Sequence, residues 1–295
     1  MKMRLYTCIF FALVFNLFSP FCLWAIEEGN VYYAGIPPVA GILDRLILPQ
    51  EQVQVICASN VNPHTFDISP SQLQKLTHAK AFFHTNFPYE LKIVKTLETT
   101  KNNVQCVDVT QNVHWREERI HSHYEHRLSQ QYGGNNDLHC WLSPENLKIM
   151  SFTIYSTLVR NNPEKKDVYQ VNYKKWLSDL EEIDKKIKEI LLPHKGKRFF
   201  VYHPAFGYFA ESYGLHEVYI EMEGKTPSPK QMQTLFEQMK REGTRVIFIQ
   251  PQFDPKPAEI IANAIGGRVE VMNDFERDVL NQFLFIAEKI SDSYK

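Results

Sequence analysis

The strongest constraint on the fold is a repeated series of short β-branched and aromatic runs bounded by turn residues. Four lie in the first half of the chain: VYYAGI at 31–36, VQVIC at 53–57, AFFHT at 81–85 and VQCVDV at 104–109. Four more follow near the end: RFFVYH at 198–203, VYIEM at 218–222, VIFIQ at 246–250 and RVEVM at 268–272. The intervals between starts in the first series nearly repeat in the second, and helical periodicity fills the gaps. Strands alternating with helices give parallel sheets with right-handed crossovers, so the pattern predicts an α/β protein of two similar (βα) lobes with parallel four-stranded sheets.

Between the two series, VYQVNYKKWLSDLEEIDKKIKEILL places Tyr173, Trp176, Leu177, Leu180, Ile183, Ile187 and Leu191 at three- and four-residue intervals. This is one amphipathic helix, and at about 1.5 Å rise per residue it reaches roughly 37 Å, enough to span both lobes. A helix packed within one lobe is the alternative. If the helix joins them, the hinge is stiff. The expected organisation is a signal peptide over 1–25, an N-terminal lobe over 26–162 with a histidine-containing loop at 111–136, a linking helix over 163–194 and a C-terminal lobe over 195–295.

The leader assignment rests on MKMRLYTCIFFALVFNLFSPFCLWA, where Lys2 and Arg4 precede an apolar run ending at Ala25. A retained anchor is the competing reading, because Leu23 and Trp24 make a poor cleavage site. Lipid attachment at Cys22 is disfavoured by bulky Phe21. No later run reaches the roughly 18 apolar residues of a spanning helix, so an exported, periplasmic protein is expected. Cys57, Cys106 and Cys140 then remain, either as buried thiols or with two of them bridged.

Lys plus Arg total 33 against 34 for Asp plus Glu, so no net field draws the chain to nucleic acid or an anionic membrane. Function must be sought at a site. SPSQ at Ser69, SPEN at Ser143 and SPKQ at Ser228 each offer a serine N-cap with proline at the first helical position, and two carry glutamine for a capping box.

Histidines stand close before two of these caps. His64 lies beyond the second strand of the first lobe, His203 closes the first strand of the second lobe, and His139 sits in a loop entering a capped helix. Ligands bind beyond the carboxyl ends of strands in open α/β sheets. Three neutral imidazoles from separate segments suit a tetrahedral metal site; three hydrogen-bonded structural histidines are the other reading.

NPHTFDISPSQLQKLTHAKAFFHTN, DLHCWLSPENLKIM and VYHPAFGYFAESYG, in this order, resemble the three histidine segments of the zinc-type solute-binding proteins of metal-ion ABC importers. The likeness extends through TPSPKQMQTLFEQMKREGTRVIFIQPQFDPKPAEIIANAIGGRV and covers essentially the whole chain after the leader. It implies two (βα) lobes joined by a rigid helix with metal in the cleft between them, and His64, His139 and His203 as ligands. Manganese and iron members of that family commonly carry glutamate at the position of His203, so the resemblance implies Zn2+ as the transported ligand, with Mn2+ or Fe2+ as the alternative. It further implies an ABC importer permease in the inner membrane as partner and a monomeric binding protein.

Asp274, after the last strand, resembles the family's carboxylate ligand; the bland reading makes it a solvated cap of a helix beginning near Phe275. Cys140 is expected to be buried, since chain neighbours rarely bind one ion together. His114, His121, His123 and His126 crowd one polar stretch. They form either an accessory metal-capturing loop, as zinc members often have, or a solvated loop with incidental histidines. No H-E-x-x-H, G-x-S-x-G, G-x-G-x-x-G or Walker pattern occurs. A secreted zinc-dependent hydrolase and a surface adhesin are the rival classes; an enzyme is not expected.

Overall fold

The computed structural model describes residues 31–100, 102–117, 136–221 and 229–295. The expected leader, the histidines at 121, 123 and 126, and the cap at Ser228 lie outside the described residues. Among the described residues, no helix is long and apolar enough to cross a membrane.

The apolar runs form β1 (Val31–Ala34), β2 (Gln52–Val55), β3 (Ala81–His84) and β4 (Gln105–Asp108), then β5 (Arg198–Val201), β6 (His216–Tyr219), β7 (Val246–Ile249) and β8 (Arg268–Val271). They make two four-stranded sheets in the orders β2-β1-β3-β4 and β6-β5-β7-β8, parallel throughout. Central strands β3 and β7 are buried at every position, as strands covered on both faces must be. Edge strand β6 begins before the apolar run that signals it, because an edge needs no continuous apolar stretch and so includes His216 and Glu217.

Most strands end before their apolar runs do, and the surplus residues turn out of the sheet at its carboxyl edge. Tyr202, for example, still donates its backbone N–H to the Phe248 carbonyl at 2.7 Å, after which the chain leaves the sheet and presents His203.

The helices are α1 (Pro37–Leu46), α2 (Pro70–Leu76), α3 (Pro88–Thr99), α4 (Pro144–Asn161), α5 (Lys166–Leu191), α6 (Gly207–Tyr213), α7 (Pro229–Glu242), α8 (Lys256–Ala264) and α9 (Val279–Asp292). Ser69 and Gln72 make the expected capping box on α2, and the Ser143 hydroxyl accepts from the Asn146 N–H to cap α4. A cap of this kind stabilises a helix by about 1 kcal/mol.

The linking helix is α5, 26 residues long and flanked by 3-10 turns at Pro163–Lys165 and Leu192–His194. It packs against α1 and α4 of the first lobe and α9 of the second. Its buried face is Tyr169, Trp176, Leu180, Ile187 and Leu191, with Tyr173, Leu177 and Ile183 partly covered. One apolar cluster therefore runs from Tyr32 and Leu43 through this face to Phe199, Phe209 and Phe283. Alternate residues of β5 enter different cores: Phe199 and Val201 join this cluster, whereas Phe200 packs with Ile220, Ile247 and Ile261.

Polar ties cross the cleft. The Arg277 guanidinium holds Asp44 of α1 at 2.5 and 2.7 Å and donates to the Val53 carbonyl. The Gln252 side-chain amide donates to the Ser59 carbonyl at 2.5 Å. Cys57, Cys106 and Cys140 are free thiols, the first and last buried.

Candidate metal centre

His64, His139 and His203 converge between the lobes. Their ligating nitrogens all lie within 4.8 Å of one another. The ring centroids are 5.2 Å apart for His64 and His139, 5.0 Å for His64 and His203, and 5.5 Å for His139 and His203.

Local structure aims each ring. The His64 backbone N–H donates to the Asn62 carboxamide oxygen in a tight turn, and the ring rests edge-on to Phe87. Asp137 accepts from both the backbone N–H of His139 and its Nδ1, at 3.0 and 2.8 Å. A 3-10 turn at Cys140–Leu142 then leads into the Ser143 cap. His203 directs Nδ1 to Glu221 at 3.1 Å and stacks on Phe253 at 4.8 Å. Gln250 fixes its carbonyl from β7's end.

A metal-binding imidazole commonly gives its second nitrogen to a carboxylate, which sets the tautomer and raises donor strength. With Nδ1 of His139 and His203 engaged by Asp137 and Glu221, Nε2 is the ring nitrogen through which each could meet an ion. His64 Nε2 and His139 Nε2 are 3.3 Å apart, and His203 Nε2 is buried with no hydrogen-bond partner. Two nitrogens at 2.0–2.1 Å from a tetrahedral zinc are separated by about 3.4 Å. The spacing of the first pair fits such an ion.

The electrostatics keep this site ready for a cation. Enclosure, and then the neighbouring imidazoles of His203 and His139, push the His64 pKa well below 6.5, so the ring stays neutral and able to ligate. Burial alone would raise the Asp137 carboxyl, yet its hydrogen bonds with His139 and the Arg116 charge hold it below the ordinary range.

Asp274 is buried at 7% exposure and does not cap a helix; the next one, α9, starts at Val279 under an Asp278 cap. The solvated reading fails because the backbone carbonyl of Asp274 is pinned inside the cleft by the Trp141 indole N–H at 2.8 Å. Its carboxyl feels His139 and His203 while burial raises its pKa. It is not among the three residues whose ligating atoms cluster. Cys140 is buried, and burial first, then nearby carboxylates, push its thiol far above the ordinary range. His114 is exposed and held by its backbone, which exchanges hydrogen bonds with the Asn146 side chain.

Sequence reasoning missed Asp137 and Glu221. Asp137 carried a local signal, standing two residues before His139 in DLHC. Glu221 carried none, being 18 residues from His203 and adjacent only through the β5–β6 pairing.

Two parallel sheets bridged by a long helix define a bilobed α/β solute-binding fold, and three converging imidazoles give it a candidate metal centre. The chain belongs to the family described as Zinc-uptake complex component A periplasmic, which matches residues 33–287. Members of this family are extracytoplasmic metal-binding transport proteins rather than enzymes.

The chain is 27% identical over 286 residues to the zinc-binding protein AdcA of Streptococcus pyogenes serotype M3, covering 90% of this chain and 55% of that one. It thus spans about half the length of that curated relative. It is 24% identical over 282 residues to the high-affinity zinc uptake system protein ZnuA of Brucella abortus, with 84% of each covered. A crystal structure of a ZnuA deletion mutant with zinc bound superposes with a TM-score of 0.81 at 28% identity, covering 91% of this chain and 99% of that one.

Proposed function

We propose that the protein captures one Zn2+ in the cleft through His64, His139 and His203, with Asp274 as fourth ligand, and delivers it to the permease of an ABC importer. The observation that carries this is the convergence of three imidazoles, two of them with Nδ1 held by a carboxylate and Nε2 turned inward. The family and the zinc-named relatives support the same reading.

Neutral nitrogen donors favour zinc over the harder Mn2+, which prefers carboxylates and higher coordination. On this reading the segments 26–162 and 195–295 act as two lobes on a stiff linker at 163–194, and the protein works as a monomer. His114, His121, His123 and His126 would add weak capture before transfer to the cleft.

Elemental analysis after zinc loading and dialysis tests the assignment. One tight equivalent is expected, lost on His139→Ala or His203→Ala and retained when 118–135 is deleted. Tight zinc persisting in both alanine variants would refute it.

A further inference from the structure

Arg116 belongs to the first lobe, on the chain leading from β4, yet its contacts reach across the cleft. Its Nη1 donates to Asp137 Oδ2 at 3.1 Å, while Asp137 Oδ1 accepts from His139 Nδ1 at 2.8 Å. Its Nε donates to Glu211 of α6 at 2.5 Å. Its backbone N–H donates to the Tyr208 hydroxyl, which in turn donates to the Asp137 carbonyl. Asp137 closes the circuit by donating its own N–H to the Arg116 carbonyl at 2.9 Å.

Space for the guanidinium comes from Gly207: a Cβ there would lie 1.9 Å from Arg116 Nη1. Nearby Glu217 is half-buried and accepts from the backbone N–H groups of Ala205 and Phe206, holding the turn that follows His203. The cation thus stands between the carboxylate behind His139 and the carboxylate behind the His203 turn. Glu221, which orients His203 itself, accepts from no arginine or lysine in a salt bridge among the described residues.

From this geometry we infer that Arg116 is a positioning residue for metal capture: it fixes Asp137 so that His139 presents Nε2 to the ion, and it ties that orientation to α6 of the opposite lobe. The inference rests on His139 being a ligand. A carboxylate shared between Arg116 and His139 has one oxygen for each. Without Arg116, Asp137 Oδ2 is buried and loses its ion-pair partner, and the carboxylate is held only through Oδ1, by the His139 backbone N–H and Nδ1. Loss of a group in this position typically weakens metal binding about 10–100-fold.

The test uses the full chain. Histidine side-chain nitrogen NMR on the metal-free protein reads the His139 tautomer directly, with no metal needed, and competition against a chromogenic chelator reads Zn2+ affinity. Arg116→Gln should mix the His139 tautomers and weaken zinc at least about tenfold while stoichiometry stays at one. Arg116→Lys, keeping a single donor and the charge, should restore part of both. Gly207→Ala, which displaces the guanidinium without removing it, should follow Arg116→Gln in direction. Glu211→Gln, which loosens only the tie to α6, should leave the His139 tautomer as in wild type.

A wild-type tautomer in folded Arg116→Gln or Gly207→Ala would overturn the inference, as would unchanged zinc affinity. If His139→Ala retains tight zinc, the assignment of His139 as ligand fails instead, and the tautomer measurement still decides what Arg116 does to the ring.

Discussion

The indole N–H of Trp141 donates to the backbone carbonyl of Asp274 at 2.8 Å, joining the turn that follows His139 to the turn that follows β8. The bond brings the candidate fourth ligand to the cleft by its backbone, independently of its charge. Side-chain chemistry at Asp274 can therefore be changed without releasing the tie. Asp274→Asn should keep the fold and one zinc per chain while lowering affinity by about tenfold or more, because a neutral amide oxygen is a poorer donor than a carboxylate. Equal affinity in wild type and variant, read by chelator competition, would leave the site with three protein ligands.

Proton competition should set in late. Burial and the two neighbouring imidazoles lower the His64 pKa well below 6.5, so this ring does not take up a proton on the way down to that pH. Proton competition at His64 should therefore begin only below pH 6.5, and metal affinity should fall as the pH drops into that range. Titrations at pH 7.5, 6.5 and 5.5 measure this. A His64 ring already half protonated at pH 6.5 in the metal-free protein, read by side-chain nitrogen NMR, would mean that it titrates as an ordinary exposed histidine.

Metal preference should respond to His203→Glu. The change puts an anionic oxygen donor where His203 sits, favouring harder ions and higher coordination. It also sets the new carboxylate near Glu221, which now accepts from His203 Nδ1 at 3.1 Å, so the two acids repel in the absence of metal. The zinc-to-manganese affinity ratio should drop by at least about tenfold, equivalent to roughly 1.4 kcal/mol. The double variant His203→Glu with Glu221→Gln should bind both ions less tightly than the single one, because it removes a repulsion that only the metal-free state bears and a negative charge beside the ion. A ratio unchanged from wild type would show that this position does not select the metal.

Away from the cleft, Glu90 is fully enclosed, and burial pushes its pKa up to about 8 despite hydrogen bonds from Thr85 and Phe87 to Oε2. Its Oε1 has no hydrogen-bond partner among the described residues, which costs less on a neutral carboxyl than on a carboxylate. The sign follows from linkage: the folded state holds this proton where the unfolded chain, near 4.5, has released it. Stability from Glu90 is thus full below about 4.5 and is lost as pH climbs towards about 8. Glu90→Gln removes that slope. Its melting temperature should decline less than that of wild type between pH 6 and 8, and parallel declines would count against a protonated Glu90.

Much of the fold was legible because its signals are local. Alternating and continuous apolar runs mark the strands, a 3.6-residue stripe marks α5, and Ser-Pro marks the starts of α2 and α4. Each depends on residues within a turn or two of one another. The edge strand β6 was misplaced at its start for the same reason, since His216 and Glu217 carry no apolar signal and owe their strand geometry to pairing with Arg198 and Phe199.

The sequence by itself determined two βα series, a stiff amphipathic connector and three histidines at the ends of structural elements. Tertiary structure alone decided that His64 and His139, 75 residues apart, bring their Nε2 atoms to 3.3 Å. It also decided that Asp274 is buried beside them instead of capping a helix, and that Glu221 and Arg116 stand behind the site. Backbone propensity is settled over a few residues, whereas the direction of a ligand depends on hydrogen bonds and packing from chain segments that only the packing of both lobes brings together.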